Sequence, residues 1–303
     1  MQEFSVFAPA KLNLYLDVLD KRPDGYHNIK TLFEKIDLKD EIIIREKDKG
    51  ISVTVEPALA CPSGKDNIVY KALQALLGKP NVNLGLEVII KKQIPVSAGL
   101  GGGSSNAASV LRAVNKAFEL GLSSEALFSI AAETGKDVPF FMLDQSFAIG
   151  RGAGELLEPI DTACSFSHVI IKPDIAISTA EMYKGLEKRA RGSRKDSIEE
   201  IVSAIRQKDI ALLGKAYYNV FEKMLGDYSQ HMNSIRGLLF KVDAGPGFLS
   251  GSGPSIFCTV KEREEAIDIL EKLSKAKGTG TSIFLATTYK GGIYGDNRGQ
   301  DIS

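Results

Sequence analysis

A cluster of glycines in the first half of the chain has the composition of an anion-binding loop. Residues 94–106 read Ile-Pro-Val-Ser-Ala-Gly-Leu-Gly-Gly-Gly-Ser-Ser-Asn and lead into a predicted amphipathic helix. Glycine permits positive φ and close approach of another group to the backbone, and a helix N-terminus offers free N–H groups to an anion. Ser104 and Ser105 could cap the helix or bind phosphate. The segment therefore predicts a phosphate site.

The order of residues in this segment differs from that of two common phosphate loops. No lysine follows the glycines, as a P-loop requires. The last glycine of a dinucleotide-binding G-x-G-x-x-G pattern would fall on Ser104. The catalytic triplets of protein kinases are also absent. A flexible loop that only begins a helix is the remaining alternative.

Two residues outside the loop have the chemistry for phosphoryl transfer. Asp137 precedes Val-Pro-Phe-Phe, so its carboxylate could be partly desolvated and accept a hydroxyl proton. Lys11 lies between apolar residues of a predicted strand, where a lysine is more often an edge or surface residue. If Lys11 faced Asp137, it would keep the carboxylate ionised and stabilise a forming alkoxide. Spacing alone does not bring the two together, and a simple turn aspartate stays an alternative.

A second turn of small residues lies near the end of the chain. Residues 250–255 read Ser-Gly-Ser-Gly-Pro-Ser before a β-rich run. Such a segment forms either a tight hairpin or a loop that packs against the phosphate site. The sequence leaves both open.

The elements that must position these groups are a mixture of strands and helices. Hydrophobic periodicity predicts strands at 4–18 (with a bend at Pro9), 41–45, 51–55, 86–90, 168–172, 255–260 and 281–288. It predicts helices at 67–77, 105–120, 124–134, 197–207, 209–225 and 263–276. Because the order lacks strict βαβ alternation, we expect an α+β fold. A junction near 158–167 would divide the chain into domains at 1–160 and 161–303.

Charge and composition narrow the class of protein. The 303 residues are 44% hydrophobic and carry 38 basic and 38 acidic side chains, so no overall field favours nucleic acid or a membrane surface. The basic run 188–195 is expected to be a solvated loop, and the polar tail 294–303 is a candidate for disorder. The three cysteines lack metal-ligand spacing. We expect a cytoplasmic protein with reduced thiols.

Several segments together resemble the GHMP kinases, and among them the diphosphocytidyl-methylerythritol kinases. The segments at 9–14, 22–27 and 31–33 are similar to that family's opening signature. Residues 94–108 and 250–257 resemble the second and third GHMP motifs, and 137–140 resembles the segment with the catalytic aspartate. The match runs in order over nearly the whole chain. The Asp-Gly-Tyr-His segment ending at His27 is what narrows the resemblance within the superfamily.

The resemblance implies a two-domain fold, with an N-terminal domain like ribosomal protein S5 domain 2 and a ferredoxin-like C-terminal domain. ATP would be the phosphate donor, with Mg²⁺ accompanying it through unassigned ligands. Asp137 would take the proton from the 2-hydroxyl of 4-diphosphocytidyl-2-C-methyl-D-erythritol, and Lys11 would support it electrostatically. The residues implied to bind ATP are Pro95, Gly99, Leu100, Gly101, Gly102, Gly103, Ser104, Ser105, Asn67 and Lys92.

The resemblance also implies a pocket for the cytidine substrate. Tyr26 and Tyr183 would sandwich the cytosine ring, since aromatic faces suit a planar base, and His27 would recognise its polar edge. The residues implied to bind substrate are Asn13, Tyr26, His27, Phe33, Thr179 and Tyr183. No nucleic-acid or membrane partner is expected, and homodimer formation is left open.

Two other functions stay open at this point. One is a GHMP kinase for homoserine, mevalonate or a sugar, which would have no use for aromatic stacking residues. The other is a non-catalytic nucleotide sensor. Only Asn106 favours the sensor, because the family pattern has Asp at this position.

Overall fold

The structure, a computed structural model, describes residues 1–58, 60–78, 84–187, 198–276 and 280–291. The predicted basic loop 188–195 and the predicted disordered tail 294–303 lie outside these residues. Strands and helices are mixed, and the α+β, two-domain architecture expected from the sequence is confirmed. No helix in the described ranges is long and apolar enough to cross a membrane.

The strands and helices follow one another along the chain without strict alternation. The strands are β1 (Glu3–Lys21), β2 (His27–Lys47), β3 (Ile51–Glu56), β4 (Gly85–Lys91), β5 (Phe147–Arg151), β6 (Leu156–Ile160), β7 (Ser167–Pro173), β8 (Tyr218–Asn219), β9 (Phe248–Leu249), β10 (Ile256–Val260) and β11 (Thr281–Thr287). The helices are α1 (Ile68–Leu77), α2 (Gly102–Ala117), α3 (Ser124–Thr134), α4 (Val138–Met142), α5 (Thr179–Glu187), α6 (Ile198–Gln207), α7 (Ile210–Ala216), α8 (Ser229–Lys241) and α9 (Arg263–Ala276). Short 3-10 helices cover Gly64–Asp66, Val220–Met224 and Gly226–Tyr228.

The first sheet is built around the long hairpin of β1 and β2. Its strand order is β3-β4-β2-β1-β8, and β5 and β6 extend from β2. Alternate residues of β2, such as Ile42 and Ile44, are buried against the apolar faces of α1 and α2, where Leu73 and Leu111 are also buried. This period of two along the strands fixes which side chains face the helices.

The second sheet has the order β11-β7-β10-β9, and all its pairings are antiparallel. Taken with its helices, it has the β-α-β-β-α-β arrangement of ferredoxin-like folds. A bridge between Ile36 and Thr288 links it to the first sheet. The first sheet's last hairpin strand ends at Ile160, but β8 returns to pair with β1. The proposed boundary at residue 160 therefore stays a prediction.

Three sequence predictions need correction. The expected bend at Pro9 is a register shift within one continuous strand, where Pro9 pairs with Lys39 and Ala10 with Ile36. A β-bulge tolerates a residue without an N–H group. The helix predicted at 209–225 ends at Ala216, because the chain then enters β8 and a 3-10 helix. The helix predicted at 105–120 covers 102–117 instead, so the glycines form its first turn.

Candidate active site

The glycine-rich segment begins α2 through backbone geometry. Gly101 is the N-cap residue at φ 69°, a conformation that favours glycine, and no side chain caps the helix. The amide of Ser105 donates to the carbonyl of Gly101 at 2.9 Å. The expectation that Ser104 or Ser105 caps the helix is therefore wrong. Both lie in the helix itself, and the buried Ser105 hydroxyl has no hydrogen-bond partner among the described residues.

This glycine loop forms a wall shared by two cavities. Gly99 and Gly101 line both of them. The smaller cavity, about 390 Å³, is lined by these residues of the predicted ATP site: Asn67, Lys92, Pro95, Gly99, Leu100, Gly101, Gly102, Gly103 and Ser104. The larger cleft, about 750 Å³, is lined by these predicted catalytic and substrate residues: Lys11, Asn13, Tyr26, His27, Phe33, Asp137, Thr179 and Tyr183. Of the sequence-predicted site residues, Ser105 alone lines neither cavity.

The second small-residue turn packs directly against the glycine loop. A Cβ on Gly99, which has φ 76°, would lie 2.1 Å from the carbonyl oxygen of Ser250, so only glycine allows this approach. The Ser250 hydroxyl donates to the Gly99 carbonyl at 3.1 Å. The turn also joins the hairpin strands β9 and β10. Both alternatives for this segment thus hold, and Ser252 contacts the Thr179 hydroxyl at 2.7 Å.

Lys11 and Asp137 meet on the cleft side of the loop. The Lys11 Nζ lies 3.6 Å from the Asp137 Oδ2. Lys11 is in the middle of β1 and only 5% exposed, so it is not a surface lysine, although β1 pairs with β2 alone at this position among the described residues. Asp137 precedes α4, yet its side chain makes no capping bond and is 34% exposed. The carboxylate is therefore directed at the ammonium group and the cleft.

A short hydrogen-bond chain orients the Lys11 ammonium group. Its Nζ donates to Asn13 Oδ1 at 2.5 Å, and Asn13 Nδ2 donates to the Thr31 hydroxyl at 2.8 Å. The Thr31 hydroxyl donates in turn to the Tyr15 carbonyl at 2.7 Å. Burial lowers the pKa of Lys11, and the neighbouring Asp137 carboxylate opposes that shift. The Lys11 backbone amide also bonds to the Leu100 carbonyl at 2.9 Å, which ties the lysine to the glycine loop.

Aromatic residues line the same cleft as Lys11 and Asp137. Tyr26 is 52% exposed, and the Lys136 ammonium group lies 4.9 Å from its ring centroid. His27, rather than Tyr26, stacks on Tyr183, with ring centroids 5.2 Å apart. Burial, with a smaller contribution from Asp137, raises the pKa of Tyr183 to about 12. The tyrosine hydroxyl is therefore neutral at physiological pH.

The remaining predicted residues have structural contacts as well as cavity positions. Phe33 is buried beneath Lys11, whose Nζ lies 5.6 Å from its ring centroid. Asn67 caps α1 by accepting from the Val69 amide at 2.9 Å, and its side-chain amide donates to the Pro62 carbonyl at 2.7 Å. Asn67 therefore shapes the edge of the smaller cavity.

Sequence reasoning missed several residues that border the cleft. Lys136 and Ala153 line it, and Gly154 lies close to Asp137, since a Cβ there would be 3.8 Å from its Oδ1. Arg22, in the segment before Tyr26, bonds to Glu155 at 3.2 Å. The position of Lys136 next to a candidate base was a usable signal. The hairpin between β5 and β6, which contains Ala153 and Gly154, has no such signal in the sequence, because only the pairing of β5 with β2 brings it to the cleft.

Comparison with known proteins identifies the family of the chain. Residues 67–145 match the family described as GHMP kinases N terminal domain, and residues 177–280 match GHMP kinases C terminal. The chain is 36% identical over 275 residues to the 4-diphosphocytidyl-2-C-methyl-D-erythritol kinase of Alkaliphilus metalliredigens, covering 90% of this chain and 94% of that protein. The chain belongs to the 4-diphosphocytidyl-2-C-methyl-D-erythritol kinase family. As a GHMP kinase of this family, it is an ATP-dependent small-molecule kinase of isoprenoid precursor synthesis.

Solved structures show how far the GHMP kinase fold extends. A crystal structure of 4-(cytidine 5'-diphospho)-2C-methyl-D-erythritol kinase superposes with a TM-score of 0.79 at 28% identity, covering 94% of this chain and 98% of that one. Homoserine kinase from Cytophaga hutchinsonii gives a TM-score of 0.74 at 20% identity, covering 96% of each chain. The second similarity shows the fold alone. The identity of the acceptor therefore depends on the residues that line the cleft.

Proposed function

We propose that this kinase transfers the γ-phosphoryl group of ATP to the 2-hydroxyl of 4-diphosphocytidyl-2-C-methyl-D-erythritol. The observation that carries the proposal is the glycine loop as a shared wall, with Gly99 and Gly101 lining both cavities. ATP would lie in the smaller cavity with its phosphates at the start of α2. The acceptor would lie in the larger cleft, beside Lys11 and Asp137. Phosphoryl transfer depends mainly on such positioning and on neutralising oxygen charge.

Asp137 would act as the general base in this reaction. The acceptor O–H bond breaks and its proton passes to the carboxylate, while the acceptor oxygen bonds to the γ-phosphorus and the bond to ADP breaks. The ammonium group of Lys11, 3.6 Å from Asp137, would orient the carboxylate and stabilise charge on the acceptor oxygen. Asn13 holds that ammonium group in place through its 2.5 Å hydrogen bond.

The aromatic residues of the cleft suit the cytidine group. Tyr26 and Tyr183 line the same cleft and would stack on the cytosine ring. His27 also lines the cleft and would hydrogen-bond to the base edge, after giving up its stack on Tyr183. Thr179, whose hydroxyl already contacts Ser252, would bind nearer the loop.

The residues at the loop fit a Mg²⁺ ion that is bound mainly by ATP. The described residues contain no group of three or more His, Cys, Asp or Glu side chains that could hold a metal. Mg²⁺ commonly binds through substrate phosphates, water and few protein oxygens. Ser104 lines the smaller cavity at the start of α2, and its hydroxyl is an oxygen of the kind that such an ion would accept. When bound, Mg²⁺ would neutralise phosphate charge.

The alternatives differ in what they expect of the cleft. Homoserine, mevalonate and sugars have no aromatic ring, so none of them would form a ring-on-ring stack with the exposed Tyr26. Asn106, the only feature that favours a sensor, donates to Asp40 at 2.8 Å. This structural role accounts for the residue without a loss of catalysis.

Coupled ADP release with Mg-ATP tests the proposed acceptor. We expect turnover with the cytidine substrate and only background rates with homoserine, mevalonate and galactose. The matched control is the free methylerythritol phosphate, which has the acceptor hydroxyl but lacks the base. Faster turnover with any compound that lacks cytosine would contradict the proposal.

A further inference from the structure

Asp40 is a fully buried carboxylate on the core-facing side of β2. Its exposure is 0%, and it follows the same alternation as the buried Ile42 and Ile44. A buried charge is costly unless it is paired and hydrogen-bonded. An acid in this register therefore requires specific partners.

The partners of Asp40 lie at both stems of the glycine loop. Its Oδ1 accepts from the amides of Gln93 and Ile94 at 2.7 and 2.8 Å, where the chain leaves β4. Its Oδ2 accepts from Lys92 Nζ at 2.5 Å and from Asn106 Nδ2 at 2.8 Å. One carboxylate thus joins the segment before the loop to the first turns of α2.

These contacts hold the Lys92 ammonium group beside the start of α2. The lysine side chain is 6% exposed, and its Nζ also bonds to Asn106 Oδ1 at 3.3 Å. A Cβ on Gly102 would lie only 3.0 Å from this Nζ, so the absence of a side chain there leaves room for the ammonium group. Lys92 and Gly102 both line the smaller cavity.

We propose that Asp40 is a positioning residue for ATP, which acts by fixing Lys92 and both stems of the glycine loop against the nucleotide cavity. The inference rests on the proposed placement of the ATP phosphates at this loop. Without the carboxylate, the loop stems lose their common anchor and the ammonium group loses its orientation. Nucleotide affinity falls, and the acceptor cleft changes less because Lys92 and Asn106, the side chains that Asp40 binds, line only the smaller of the two cavities.

Glu34 provides a matched control for removing a buried carboxylate. It also lies on β2 with 0% exposure, but it pairs with His168 at 3.1 Å, away from both cavities. Asp40→Asn and Glu34→Gln each replace a buried acid by its amide. A general loss of stability would therefore affect both variants, whereas a positioning role affects only the first.

The experiment measures binding of a non-hydrolysable ATP analogue with Mg²⁺ by titration calorimetry, so it does not depend on the acceptor. We expect Asp40→Asn to weaken binding at least about tenfold, the loss typical of a hydrogen bond to a charged group. Lys92→Gln should weaken it similarly, and the double variant should bind about as well as the weaker single variant, since both act as one unit. In the kinase assay, the KM for ATP should rise by a larger factor than the KM for the acceptor.

Asn106→Ala keeps the pair of Asp40 and Lys92 and releases only α2, so it serves if Asp40→Asn does not fold. It should weaken nucleotide binding by a smaller factor. The proposal fails if Asp40→Asn, or Asn106→Ala in its place, binds the analogue as Glu34→Gln does. Gly102→Ala distinguishes an error in the role of Asp40 from an error in the placement of the ATP phosphates. If it weakens binding while the Asp40 variant does not, only the role of Asp40 is wrong. If it too has no effect, the phosphate placement is also wrong.

Discussion

The Lys11 ammonium group lies 3.6 Å from the Asp137 carboxylate, although one residue belongs to the first strand and the other precedes α4. The pair lies beside the glycine loop, because the backbone amide of Lys11 donates to the Leu100 carbonyl in that loop. The proposed base and its cation therefore lie beside the loop at which the γ-phosphate is expected. This relationship underlies the first two predictions.

Replacing Asp137 by Asn should remove turnover and leave ATP binding intact. The amide is isosteric but cannot accept the acceptor proton, and a general base contributes about 10²–10⁴ to the rate. Single-turnover kinetics and calorimetry with the ATP analogue measure the two effects separately. Near-normal turnover would exclude Asp137 as the base.

The activity should decline at alkaline pH because Lys11 loses its proton. Burial lowers the pKa of Lys11 below its ordinary value of 10.5, against the opposing effect of Asp137. The ammonium form is present below the lowered pKa and is lost as pH rises through it. The kcat/KM profile should therefore fall at a pH below 10.5. Residual activity of Lys11→Arg should lack this decline, since arginine stays protonated; a decline shared by both proteins would assign it to another group.

Tyr26→Ala should weaken binding of the cytidine substrate by about 1–3 kcal/mol, the range for base stacking on aromatic residues. The side chain is half exposed in the cleft, so its loss should not disturb the core. Tyr26→Phe keeps the ring and is the control that should bind nearly as well as the original protein. Calorimetry with the substrate decides, and unchanged affinity in the alanine variant would remove the stacking role.

Gly99→Ala should destabilise the protein far more than Gly121→Ala. Both glycines have positive φ, of 76° and 68°, so alanine is strained at each by about 1–2 kcal/mol. A Cβ at Gly121 meets nothing within 4 Å, whereas at Gly99 it would lie 2.1 Å from the Ser250 carbonyl oxygen. Urea denaturation gives the two free energies of unfolding. Equal losses would show that contact between the two loops adds nothing.

His168→Ala should destabilise the protein by about 1–3 kcal/mol, the cost of removing one hydrogen-bond partner from a buried polar group. The His168 Nε2 lies 3.1 Å from Glu34 Oε1, and both side chains have no exposure. Thr288 also donates to that oxygen at 2.5 Å, so the cluster links the two sheets. Lys272→Ala, which breaks an exposed pair with Asp268, is the control and should hardly change the melting temperature. A similar effect of both variants would deny the buried cluster its role.

Helices and strands that depend on short-range sequence patterns could be predicted correctly from the sequence. Helices α3 and α9 have the predicted bounds, Ser124–Thr134 and Arg263–Ala276, because hydrophobic periodicity and end residues act within a few turns. The α+β class and the glycine loop followed in the same way. The ordered motifs also led to the correct kinase family.

Contacts between residues that are far apart in the sequence could be identified only in the tertiary structure. The apolar residues after Ala216 fit a helical period, yet Tyr218 and Asn219 pair with β1, because a sheet edge offers hydrogen bonds that sequence spacing does not show. The contacts of Lys11 with Asp137, and of Asp40 with Lys92 and Asn106, likewise join distant segments. Such pairs depend on strand register and helix packing, which are set by burial of the whole core. Side-chain types are local information, whereas the distances between them are a property of the fold.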